Sequence, residues 1–106
     1  MSHLEERLEH DLTEIRDQIA DLGLKAEQAM DGALRALHTA DDILAFTTFL
    51  SDLPINRQMR QIDRMCHSFI AVHLPSAGHL RLISSVIRAN IILERIGDYA
   101  VTISRE

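Results

Sequence analysis

Leu93-Glu94-Arg95-Ile96-Gly97-Asp98-Tyr99-Ala100-Val101-Thr102 puts two acids one helical turn apart inside an otherwise apolar segment. Residues four apart on a helix share a face, with Cβ atoms roughly 5–6 Å apart, so Glu94 and Asp98 project side by side. Outward from this stretch, Leu82, Val86, Ala89, Leu93, Ile96, Ala100 and Ile103 make one stripe in alternating steps of four and three. Ile83, Ile87 and Ile91 broaden it past the ~100° of an ordinary surface helix, which predicts the central, most buried helix of a bundle. Two hard oxygen donors in this arrangement suit Mg²⁺, Mn²⁺ or iron better than Zn²⁺, which prefers His and Cys. Asn90, one turn earlier on the same stripe, can add a neutral amide oxygen.

Upstream, the same periodicity repeats twice. Ser2 with Glu5 reads as a capping box, and Leu8, Leu12, Ile15, Ile19, Leu22, Ala26, Ala29, Ala33 and Leu37 follow as the seam of a first helix from Ser2 to His38. Gly23 and Gly32 interrupt it at roughly 1 kcal/mol each against alanine, which suggests close helix approach beside the small alanines. Thr39 with Asp42 reads as the next N-cap, so the turn near His38 to Asp41 is very short and the second helix, Thr39 to His73, is antiparallel. It carries Ile43, Phe46, Leu50 and Leu53, then Ile55, Met59, Ile62, Cys66, Phe69 and His73, a register that slips by one residue at Pro54. Proline cannot donate to the carbonyl four residues back, and it kinks or breaks a helix at a cost of ~3 kcal/mol. A kinked continuous helix is expected here, with a fresh start capped by Ser51 or Asp52 as the alternative. Pro75 discourages helix at Leu74 and Ser76 can cap the third helix, Ser76 to Arg105. The expectation is an all-α, antiparallel three-helix bundle occupying residues 1–106 as a single domain.

Composition agrees. Hydrophobic residues make up 46% of the chain and aromatics only 4%, the balance of interdigitated helices rather than of a β-sandwich. A net charge of −5 with scattered basic residues argues against nucleic-acid binding. No apolar run reaches the ~20 residues needed to span a bilayer, the N-terminus reads as a helix start rather than a signal peptide, and a lone cysteine, Cys66, reads as core filler in a reducing compartment. These features predict a cytoplasmic chain without direct membrane insertion.

The run Pro75 … Leu80-Arg81-Leu82-Ile83-Ser84 … Leu93-Glu94-Arg95-Ile96-Gly97-Asp98-Tyr99-Ala100-Val101 … Ile103 resembles the third helix of a PhoU-family repeat, whose signature is a proline, a Leu-Arg pair and then Glu-Arg-Ile-Gly-Asp. Asp42, Asp52, Ile55 and Asn56 fall where that family places an Asp opening its second helix and an Asp-x-x-Ile-Asn/Asp motif within it. The resemblance is specific in the second and third helices and generic in the first. It implies a three-helix repeat, of which the family typically has two and this chain one. It further implies a hard cation, iron, manganese or magnesium, held by Asp52 and Asn56 on one helix and Glu94 and Asp98 on the next. Asn56 stands where many members have aspartate and Gln61 where many have glutamate, which lowers the local negative charge. The opposing reading is a structural ion network joining Glu94 and Asp98 to Arg57, Arg60 or Arg95.

By the same resemblance the chain is a non-enzymatic regulator that holds phosphate-uptake signalling off when phosphate is plentiful. The implied partners are the phosphate ABC transporter and the sensor histidine kinase of the phosphate two-component system. Two other classes compete: a metal-binding bundle serving as iron store or metal-dependent enzyme, and a structural dimerisation module cut from a larger protein. The six histidines include no i, i+4 pair and no Glu-x-x-His occurs, which counts against a ferritin-like di-iron centre. Nor is there a Gly-x-Ser-x-Gly, a Walker loop or a Cys/His nucleophile arrangement. A third helix apolar almost all round, with its sister repeat missing, leads to the expectation of a homodimer.

Overall fold

A computed structural model describes residues 3–73 and 76–105, so the expected Ser2–Glu5 capping box and the Leu74-Pro75 turn lie outside the described residues. The chain forms α1 (His3–Thr39), α2 (Asp42–Leu50), α3 (Asp52–Val72) and α4 (Ala77–Arg105), in a rod of 56 × 19 × 16 Å. The second predicted helix is divided: α2 and α3 meet at Ser51, and the expected continuous helix is replaced by two segments. The physical reason is Pro54, which has no N–H to give Leu50. Ser51 itself keeps helical angles (φ −69°, ψ −13°), and its N–H is shared between the carbonyls of Thr47 and Thr48. The two segments therefore still make one rod of an antiparallel three-rod bundle.

Antiparallel packing is visible in the cross-contacts. Thr48, Gln58 and His73 on the second rod meet Gly32, Lys25 and Asp11 on α1, numbers rising on one as they fall on the other. Met59 and Ile55 likewise meet Asn90 and Gly97 on α4. The turn after α1 is closed by Ala40 in the left-handed region (φ 55°), with the Asp41 N–H bonded to the Ala36 carbonyl. Asp41, rather than the expected Thr39, caps α2: its Oδ1 accepts from the Leu44 N–H at 3.0 Å. Ser76 caps α4 as expected, its Oγ accepting from the His79 N–H while His79 Nδ1 accepts from the Ser76 N–H.

The core runs through Leu12, Ile15, Leu22, Ala29 and Ala33 of α1, Ile55, Ile62, Cys66 and Phe69 of α3, and Ile83, Val86 and Ala100 of α4. Burial pushes the Cys66 thiol up to about 11, with Asp63 adding to the shift, so the sulfur is the filler its spacing suggested. Three corrections to the predicted seams follow. On α4 the deepest positions are Ile83, Val86, Asn90, Gly97 and Ala100, while Leu82, Leu93 and Ile96 are only half-buried. The inward line passes through a polar residue and a glycine that an apolar count skips. At the end of α1, Ala36 is buried and Leu37 exposed. On α2 the predicted core stripe points outward: Ile43 is 82% and Phe46 63% exposed, and among the residues of this helix Thr48 is the buried one.

Candidate metal centre

Asp52 opens α3 directly after the Ser51 junction, and the α3–α4 contact sets it against α4. Its Oδ1 is fully shielded and has no hydrogen-bond partner among the described residues. A Cβ on Gly97 would stand 3.9 Å from that oxygen and 3.5 Å from Ile55 Cγ2, ordinary contacts that place the carboxylate against the α4 backbone. The other oxygen, Oδ2, accepts from Asn56 Nδ2 at 3.0 Å, one turn further along α3. Asn56 thereby commits its amide N–H₂ to Asp52, and its own carbonyl oxygen makes no hydrogen bond within the described residues.

Asp98 follows Gly97 on α4 and is exposed. Burial first, and the negative charge of Asp98 second, hold the Asp52 carboxyl above the ordinary carboxylate range; the Asn56 hydrogen bond and Arg105 pull it back in part. Two acids that repel, one with a shielded orphan oxygen, make a site with surplus acceptors and too little positive charge. Glu94, one turn before Asp98, is half-buried. Among the described residues no salt bridge joins Glu94 or Asp98 to Arg57, Arg60 or Arg95, so the structural ion network expected as the alternative is not formed. A second orphan lies on α4: Asn90 is 3% exposed, donates Nδ2 to the Met59 carbonyl at 2.9 Å, and leaves Oδ1 buried without a partner among the described residues.

The structure thus joins Asp52 to Asn56 by a hydrogen bond, lets the charge of Asp98 act on Asp52, and places Glu94 and Asn90 on α4 by spacing; among the described residues the carboxylates of Asp52, Glu94 and Asp98 do not come within 4.8 Å of one another as a group. The donor set is all oxygen, carboxylate and amide, which suits a hard cation better than zinc. Gly97 was not among the predicted site residues, although its place between Glu94 and Asp98 marks where the two helices come close.

Two further polar clusters surround the core. Gln58, 7% exposed, donates to Gln18 Oε1 and Asp21 Oδ2, both at 2.9 Å, and accepts from Lys25 Nζ. The Gln58 and Lys25 hydrogen bonds hold the Asp21 carboxyl below its usual range. At the opposite end of α3, buried His73 places Nε2 2.7 Å from Asp11 Oδ2, its ring 4.9 Å from that of Phe69. Beside it on α1, donor atoms of His10, Asp11 and Glu14 lie within 4.8 Å of one another. The patterns sought in the sequence, a histidine four residues from another and Glu-x-x-His, pass over this group, since its spacing is His-x-x-x-Glu.

The family description "PhoU domain" matches residues 19–106. The chain belongs to the PhoU family. It is 37% identical over 103 residues to a protein of Pseudomonas putida called "phosphate-specific transport system accessory protein PhoU homolog", covering 97% of this chain and 40% of that relative. It is 35% identical to the PhoU protein of Serratia marcescens and 34% to that of Escherichia coli K12, in each case over 97% of this chain and 42% or 43% of the relative. The PhoU-family chain described here therefore spans about two fifths of the length of these curated relatives. No solved structure matches it significantly. Among the described residues no helix is long and apolar enough to cross a membrane.

Proposed function

We propose that this chain is a non-enzymatic, cytoplasmic regulator of phosphate uptake and phosphate-starvation signalling, working through contacts with the phosphate ABC transporter and the sensor histidine kinase. The observation that carries the reading is its likeness, over nearly its whole length, to accessory proteins of the phosphate-specific transport system. We further propose that Asp52, Asn56, Glu94 and Asp98 hold a hard cation, iron, manganese or magnesium. The support for it is the shielded, unpartnered Asp52 Oδ1 beside a second acid. Bound there, a cation supplies the positive charge that the two acids lack. Asp52 and Asn56 would contribute from α3 and Glu94 and Asp98 from α4, so the ligand set spans the contact between the two helices.

Both parts are tested together. In cells lacking their own PhoU protein, a phosphate-starvation reporter should be repressed at high phosphate when the gene carrying this chain is expressed. Glu94→Gln with Asp98→Asn should release that repression. In vitro, Fe³⁺, Mn²⁺ or Mg²⁺ should raise the melting temperature by mass action, a gain of about 2.7 kcal/mol at a hundred times Kd, and the double variant should not respond. Equal shifts in both proteins would remove the metal reading; a reporter unmoved by the wild-type gene would remove the regulatory one.

A further inference from the structure

The outward face of α2 and α3 reads Ile43, Phe46, Leu50, Leu53, Arg57, Arg60, Arg64, seven positions in alternating steps of three and four. At 100° per residue these stay within one narrow stripe, on the far side of the rod from the inward Thr48, Ile55, Ile62 and Cys66. Ser51 has helical angles, so the phase carries across the junction. Leu50 is 50% and Leu53 61% exposed, with Ile43 and Phe46 more so. All three arginines are exposed, and none forms an ion pair among the described residues. Single exposed hydrophobics need no explanation, but four large ones in a contiguous line mark an interaction surface. Their spacing is the a/d seam that receives a second helix.

Charge selects the occupant. The first half of the stripe asks for apolar side chains and the second for carboxylates. A second copy of the stripe cannot provide this. Parallel pairing sets arginine against arginine, antiparallel pairing about the junction sets arginine against isoleucine and phenylalanine, and pairing of the apolar halves alone leaves the arginines unused. An anionic membrane suits the arginines, but Asp41 and Asp42 flank the apolar end and the chain carries a net charge of −5. We propose that this face docks one amphipathic helix of a partner protein, carrying large apolar side chains along one half of its contacting stripe and Asp or Glu along the other. None of its residues is among those assigned to the cation site, and the proposal does not depend on which process the chain regulates.

The test uses a fluorescent synthetic helical peptide with leucines at the seam positions of one half and glutamates at those of the other, and a twin with lysines replacing the glutamates. Anisotropy with the whole chain should give saturable binding of the glutamate peptide, weakened about tenfold or more in the lysine twin, as expected where like charges meet. Phe46→Ser with Leu50→Ser should abolish binding of both. Arg57→Glu with Arg60→Glu should reverse the preference towards the lysine twin, a gain that mere unfolding cannot produce. All four side chains point to solvent, and unchanged helical circular dichroism confirms intact variants. Equal binding of the two peptides or no saturable binding would overturn the proposal. So would a chain dimer that Phe46→Ser with Leu50→Ser dissolves, or binding to phosphatidylserine vesicles that outcompetes the peptide.

Discussion

At the scale of single residues, the chain keeps a carboxylate where the fold alone would not. Asp52 is shielded at Oδ1, repelled by Asp98, and only partly compensated by Asn56 and Arg105. Because its folded carboxyl titrates above its ordinary value of 3.8, stability falls as pH rises from that value through the folded one, and stays lowered at neutral pH. Asp52→Asn should therefore melt higher than wild type at neutral pH in chelator, by roughly 4–8 °C for each kcal/mol relieved in a domain of this size. The gap should close in acid, where the carboxyl is protonated folded or unfolded. Added Mn²⁺ should then raise the wild type and leave the variant where it was. A variant less stable than wild type at neutral pH would mean that Asp52 serves packing alone.

At the scale of elements, glycines separate a helix crossing from a mere interruption. A Cβ on Gly32 would come within 2.6 Å of Thr48 Oγ1, whereas one on Gly23 would rest 3.9 Å from Leu93 Cδ1, an ordinary contact. Alanine gains about 1 kcal/mol of helix propensity at either position. Gly23→Ala should accordingly raise the melting temperature. Gly32→Ala should lower it, because overpacking against stiff, β-branched Thr48 costs about 1–3 kcal/mol; thermal melts of the pair decide, and a rise in both would remove the crossing argument. The sequence predicted close approach at both glycines, and periodicity could not rank them because the crossing residue is polar. The same blindness governs α2. Its apolar stripe is out of phase by one residue with the seam that starts at Ile55, and that slip reads equally well as a kink in one face or as two different faces. Continuing the Ile55 seam backward lands on Thr48 and half-buried Leu44 and Ala45, a line too polar to stand out. The rods, their direction and the acid pair at Glu94 and Asp98 were legible because they rest on long repeats and a local motif. The orphaned oxygen of Asp52 was not, because it is made by the approach of α4.

At the scale of the whole molecule, a rod 56 Å long and under 20 Å wide has much surface for its volume, and α4 shows what that means. Leu80 is 42%, Ile91 46% and Ile92 55% exposed, although this helix touches each of the other three. Three neighbours do not suffice to cover a helix that is apolar nearly all round. A two-fold related copy buries the same side chains from both sides, without asking for any charge the chain lacks. The expected outcome in light scattering at micromolar concentration is therefore about twice the 12.0 kDa of one chain. Such a pair should bury no less than the ~1,200 Å² of a stable interface. Ile91→Glu with Ile92→Glu should give the single-chain mass at unchanged helix content, while Phe46→Ser with Leu50→Ser, on the other exposed face, should leave the dimer intact. A wild-type chain that scatters as a monomer would refute the pairing and leave the α4 flank to a further part of a longer polypeptide, consistent with relatives more than twice the length matched here.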